Sequence, residues 1–197
     1  MLQERMDKFL EKNSLKEIEK IARGHSAFIY LVENSAGKKL LLKIERDDSP
    51  RVDFVGKEST HLKKANSIGV GPKLISFDEE CRCILREFVD GITLSEFIYS
   101  NPLKKDLQKV IDSLLVQAKK MDEIGLDHGQ LAGRGKNILV TKKLNPVIID
   151  FEKASQNRKC GNLNQLKSFL FRNPNSSIAK TVKEILGKDY SFPDSFI

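Results

Sequence analysis

A chain of 197 residues, 40% of them apolar, is long enough to bury a sizeable core as one domain or two packed lobes and too short for more. No run approaches the roughly 18 apolar residues of a membrane span, and the N-terminus MLQERMDKFLEK lacks the pattern of a secretory signal, so a soluble cytoplasmic protein is expected. Lys and Arg number 34 against 27 Asp and Glu, and the net charge of +7 favours phosphate-rich partners such as nucleotides or RNA, although lysine-rich surfaces also serve solubility alone.

Leu2, Met6, Phe9 and Leu10 fall at helical spacing and predict an amphipathic helix over 2–12. The pattern then changes to β-branched and apolar runs, IARGHSAFIYLVEN and GKKLLLKIER, joined through NSAGK as a hairpin. Helical spacing returns over 53–68, GVGPKL breaks it, and short runs at 73–77 and 82–89 complete a small antiparallel sheet. From Pro102 onward Leu103, Leu107, Val110, Ile111, Leu114, Leu115, Ala118 and Met121 form the stripe of a core helix. NILVTKKLNPVIIDF follows as two short strands around a polar turn, and helices near 162–172 and 176–187 finish the chain. The expected class is α+β. Residues 1–89 form a lobe with an N-terminal helix, five antiparallel strands, one further helix and a connector at its end; residues 90–197 form a reduced, mainly helical lobe carrying one hairpin.

Cys81, Cys83 and Cys160 are odd in number, and the C-x-C pair lacks the second Cys or His pair of a zinc site. His25, His61 and His128 offer no pair at metal-ligand spacing either.

Four polar residues interrupt apolar patterns. Lys43 in LLLKIE has apolar neighbours on both sides, so its ammonium belongs inside the protein or along a cleft, with a lysine snorkelling from a strand end as the alternative. Glu58 lies on the inward face of the next helix with Phe54, Leu62 and Ala65, where it can pair with Lys43 and present the ammonium to an anion. Asp150 ends the apolar run NPVIID, as suits a ligand for a hard cation such as Mg²⁺, and Asn137 can supply a second oxygen.

The order of glycine-containing hairpin, strand lysine, helix glutamate, H-x-x-L…N-I-L-V and I-D-F-E resembles the protein-kinase-like superfamily, over about Leu15 to Lys153. Within it the chain is similar to small atypical archaeal Ser/Thr kinases, the RIO kinases and the kinase of the tRNA threonylcarbamoyladenosine (KEOPS) complex. RGHSAFIYLVE resembles their G-A-E-A-x-I-Y loop, and IDFE is also similar to aminoglycoside and choline kinases. Only Gly24 of the three-glycine fingerprint is present.

The resemblance implies a bilobal kinase-like fold and ATP and Mg²⁺ as cofactors. Lys43 would hold the α- and β-phosphates and Glu58 would orient it; Asn137 and Asp150 would bind Mg²⁺. The backbone of Gly24, His25, Ser26 and Ala27 would cover the phosphates, and the Glu87 carbonyl and Val89 amide in ILREFVDG would pair with adenine. Arg86 stands at the usual apolar gatekeeper position, where it would narrow the adenine pocket or swing out to a carboxylate. His128 would bond the backbone near Asp150.

The departure lies in LDHGQLAGRGKNILV. The kinase loop H-R-D-x-x-x-x-N leaves four residues between Asp and Asn, whereas here Gln130 replaces the acid and six residues separate it from Asn137. Three readings stay open. Gln130 positions the acceptor hydroxyl or a water, Asp127 supplies the carboxylate after a local rearrangement, or the chain is a pseudokinase that serves as a nucleotide-binding scaffold. Arg134 and Lys136 would add charge beside the γ-phosphate or form a solvated basic tip. Only residues 154–197 follow IDFEK, without an A-P-E-like segment, so an ordinary peptide-docking lobe cannot fit. The expected function is an ATP-dependent serine/threonine kinase-like phosphotransferase that autophosphorylates or hydrolyses ATP, acting on a protein substrate or within a partner complex, with RNA contact and no membrane. The alternatives are the scaffold and a small-molecule phosphotransferase.

Overall fold

The computed structural model describes residues 1–50, 53–131 and 135–187, which form a mixed α+β protein of two compact units. Unit 1 comprises Met1–Ser67 and Pro72–Phe88, and unit 2 comprises Ile68–Gly71 together with the chain from Val89 onward.

Unit 1 runs α1 (Leu2–Lys12), β1 (Leu15–Arg23), β2 (Ala27–Asn34), β3 (Lys39–Glu45), α2 (Phe54–Asn66), β4 (Leu74–Asp78) and β5 (Cys83–Glu87). The strands make one antiparallel sheet in the order β1-β2-β3-β5-β4. Strand side chains alternate between faces, so each face needs its own cover. On one face Met6 and Phe9 of α1 pack against Tyr30, Val32, Leu40, Leu42, Ile44 and Leu85. On the other, Phe54 and Val55 of α2 pack with Ala27 and Ile84. Covered on both sides, Leu40 through Glu45 of β3 are all buried, which explains an apolar run without alternation. The β2–β3 turn closes as NSAGK predicts: Gly37 takes φ 75° and the Asn34 carboxamide oxygen accepts the amides of Ala36 and Lys38.

The first strand begins earlier than the apolar run suggests. Residues Lys16–Arg23 are exposed along this sheet edge, and the pairing register with β2 skips Ile18 and Ile21 at two irregularities that blunt the edge. Cys81 and Cys83 are buried free thiols, and burial is the first cause raising both above the ordinary thiol range.

Unit 2 runs β6 (Gly91–Thr93), α3 (Leu94–Tyr99), α4 (Lys104–Glu123), β7 (Ile138–Thr141), β8 (Pro146–Ile148), a 3-10 turn over Phe151–Lys153, α5 (Asn162–Lys167), a π turn over Ser168–Arg172 and α6 (Ser177–Leu186). The expected hairpin is part of a three-stranded antiparallel sheet, β6-β7-β8. Strand β6 escapes the pattern because it has three residues and starts at Gly91, where a Cβ would stand 2.7 Å from the Val140 carbonyl oxygen. Helix α3 opens on a Thr93–Glu96 capping box, each residue's side chain accepting the other's amide. In α4 the predicted stripe from Leu107 to Met121 is buried, whereas Leu103 is the N-cap and is exposed. Among the described residues no helix is long and apolar enough to cross a membrane.

Candidate functional site

In unit 1, β3 and α2 place Lys43 and Glu58 together. The Lys43 Nζ lies 2.7 Å from both carboxylate oxygens of Glu58, and the two side chains are 7% and 2% exposed. The Phe54 ring centroid lies 5.2 Å from the same ammonium. Glu58 reaches it because Phe54, Glu58, Leu62 and Ala65 share the buried face of α2. Removing two charges from water costs several kcal/mol per ion, and a hydrophobic pair of similar volume would be as stable or more so.

A second cation shares that sheet face. Lys43 stands opposite Ile84 and Leu41 opposite Arg86, so Arg86, two residues beyond Ile84, lies diagonal to Lys43. Arg86 is buried, and its Nη1 donates to the Glu87 carbonyl at 3.1 Å. This carbonyl, expected to meet adenine, therefore already accepts one hydrogen bond. The Glu87 amide donates to the Lys73 carbonyl at 2.8 Å, and the Val89 amide donates to no group among the described residues.

The turn between β1 and β2 departs in part from its expected role. The Gly24 amide donates to the Ala27 carbonyl at 2.8 Å, closing the turn, and is not available to a phosphate. The Arg46 guanidinium holds the turn from outside, its Nη1 donating at 3.1 Å to the carbonyls of both Gly24 and His25. The amides of His25 and Ser26 have no acceptor among the described residues, and the buried Ser26 hydroxyl likewise has no partner there.

In unit 2 the segment 126–131 is tied down by neutral groups. His128 is fully buried, its Nε2–H donates to the Ile149 carbonyl at 2.9 Å, and its ring meets Phe151 edge-on. Burial holds its imidazole below the ordinary range, so it is neutral at pH 7. Asn162, also fully buried, accepts the His128 amide at 2.9 Å and donates to the Leu126 carbonyl at 2.8 Å and to Asp122 Oδ1 at 2.7 Å.

Asn137 and Asp150 are neighbours in the backbone. The Ile149 amide donates to the Asn137 carbonyl at 2.9 Å, extending the β7–β8 ladder by one pair, and Asp150 follows at once. Asp150 has φ 68° and ψ 70°, a left-handed conformation that costs a non-glycine residue about 1–3 kcal/mol and clusters at functional sites. Asn137 donates its Nδ2 to the Gln130 carbonyl at 3.0 Å, and its Oδ1 is an acceptor. Among the described residues no three His, Cys, Asp or Glu side chains gather as a metal cage. A carboxylate and a carboxamide oxygen are the donor types that hard cations such as Mg²⁺ take, with phosphates and water completing the shell.

Asp127, the alternative source of a carboxylate, is engaged by two neighbours. Its side chain is 7% exposed, its Oδ2 lies 2.9 Å from Arg158 Nε, and its Oδ1 lies 3.4 Å from Gln165 Nε2. Three residues before Gln130, this carboxylate is an ion-pair partner. Gln130 is half-buried and its side chain has no hydrogen bond among the described residues. Lys136 is exposed, and Arg134 lies outside the described residues. The residues missed from the sequence are Asn162, Asp122 and Arg158. None interrupts an apolar run, so periodicity carries no signal for them.

No known protein-family profile matches the chain. A similar protein is the uncharacterized protein MJ1211 of Methanocaldococcus jannaschii, 36% identical over 101 residues that span 51% of this chain and 82% of the relative.

Proposed function

This chain belongs to the family of MJ1211, and for it we propose an ATP- and Mg²⁺-binding, kinase-like phosphotransferase of the serine/threonine class, in which Gln130 positions the acceptor instead of removing its proton. The observation that carries this reading is the buried Lys43–Glu58 pair. It is a costly way to fill a core and a useful way to hold an ammonium toward phosphate oxygens.

With the reading goes a bilobal kinase-like fold, unit 1 standing for the N-terminal and unit 2 for the C-terminal lobe. Lys43 binds the α- and β-phosphates and Glu58 fixes its rotamer. The His25 and Ser26 amides face phosphate oxygens, and the Glu87 carbonyl and Val89 amide orient the base. Asn137 and Asp150 would hold the cation, which would supply charge neutralisation for the phosphates. Gln130 orients a hydroxyl or a water, which is enough for slow transfer through a loose transition state. The acceptor is a protein hydroxyl or water, and RNA contact rests on the net charge alone.

Asp127's engagement favours a second reading, a nucleotide-binding scaffold without turnover. Incubation with radiolabelled ATP separates the two. Slow phosphate release or self-labelling by the wild type, weakened in Gln130→Ala and abolished in Asp150→Ala, is the expected result. Four indistinguishable, silent proteins, with Asp127→Ala as the fourth, would leave the scaffold.

A further inference from the structure

Arg158 sits at a crossing of two chain segments that the proposed mechanism needs in register. One is 127–129, immediately before Gln130; the other is 153–158, just after Asp150. The backbones meet at one isolated bridge, with the Asp127 amide 2.9 Å from the Ser155 carbonyl and the Ser155 amide 2.8 Å from that of Asp127. A single bridge of two hydrogen bonds can rock about its own axis. Arg158 adds two contacts off that axis: Nε to Asp127 Oδ2 at 2.9 Å and Nη2 to the Lys153 carbonyl at 2.6 Å.

The space for this is made by Gly129. Its φ is 78°, and a Cβ there would stand 2.6 Å from the Lys153 carbonyl oxygen and collide with the Arg158 guanidinium. The donor chemistry is specific as well. A planar guanidinium offers N–H groups in two fixed directions and so meets a carboxylate and a carbonyl at once, which the single point charge of lysine does less well. The carboxylate it meets is almost wholly buried while Arg158 itself is half exposed, so the pair serves placement more than stability.

We propose that Arg158 is a positioning residue, clamping Asp127–Gly129 against Lys153–Ser155 so that Gln130 and Asp150 keep a fixed register. Asp127 is then the anchor of the clamp. The catalytic half of this inference rests on the phosphotransferase reading above; the clamp itself does not.

Amide hydrogen exchange and ATP turnover on the full chain test the two halves separately. In Arg158→Met the amides of Asp127 and Ser155 should exchange at least about tenfold faster while those of Leu114 and Leu115 in α4 stay unchanged. Phosphate release should fall about 10- to 100-fold with KM for ATP within about twofold, the signature of misplacement and not of lost binding. Arg158→Lys should recover part of both effects, and Asp127→Asn should reproduce them if Arg158→Met does not fold. Unchanged exchange at Asp127 and Ser155 in both Arg158→Met and Asp127→Asn would overturn the clamp. A wild type that releases no phosphate, combined with the same exchange difference, would sink the phosphotransferase reading and leave the clamp standing.

Discussion

In unit 1 the candidate chemistry stands on one buried charge pair, Lys43 and Glu58, presented by a central strand and the helix that follows it. In unit 2 it stands on an irregular segment, 126–131, held by neutral hydrogen bonds from Asn162 and His128 and by one half-exposed ion pair. A charge placed on a periodic element is visible as an exception to the period. A loop held by amides and carbonyls has no such contrast, and its partners lie 34 residues away, as Asn162 does from His128. The two regions should therefore fail differently when their supports are removed.

The largest effect belongs to unit 1. Glu58→Ala leaves the Lys43 ammonium buried without its carboxylate and should cost about 3–5 kcal/mol in urea unfolding. Lys43→Met/Glu58→Leu should recover most of that loss, because an apolar pair needs no desolvation of charge. A cost below about 1 kcal/mol for the single variant would mean that the pair is solvated and the contrast between the units is false.

Asn162→Ala tests the neutral network of unit 2. It strands the His128 amide and the Leu126 carbonyl together, while Asp122 Oδ1 keeps the backbone amide of residue 162, and should cost about 2–3 kcal/mol. Faster exchange at the His128 amide should accompany it. Stability unchanged by this substitution would move the burden of holding the loop onto Arg158 alone.

The smallest effect is on pH. Burial depresses the His128 imidazole in the folded chain, whereas the unfolded chain binds a proton as pH falls below about 6.5. Folded His128 refuses that proton, so its contribution is present above that pH and is lost on acidification. The urea midpoint should fall between pH 7.5 and 5.5, and the fall should shrink in His128→Gln. An equal fall in both proteins would assign the slope to other groups.

How much the sequence revealed follows the same division. The α1, α2 and α4 stripes come from apolar spacing near 3.6, the NSAGK hairpin from its turn residues, and the Lys43–Glu58 pairing from a lysine in an unbroken apolar run and a carboxylate on a helix's apolar face, and the structure has them. Strand β6 is too short to show a period, and the first half of β1 is charged because it lies exposed at a sheet edge. The helix α3 was legible in TLSE, a capping box directly before an apolar turn, yet length and apolar stripes alone pass over it. Asp127 shows the limit of spacing arguments in a loop. Adjacent to the motif's histidine, it is drawn into an ion pair by an arginine 31 positions later that no local pattern connects to it.

Binding of MgATP to wild type and to Lys43→Met/Glu58→Leu, followed by thermal shift and calorimetry at one salt concentration, tests the central claim most directly. A Mg²⁺-dependent rise in melting temperature is expected for the wild type and should disappear in the folded double variant. The same rise in both proteins, or none in the wild type, would contradict it.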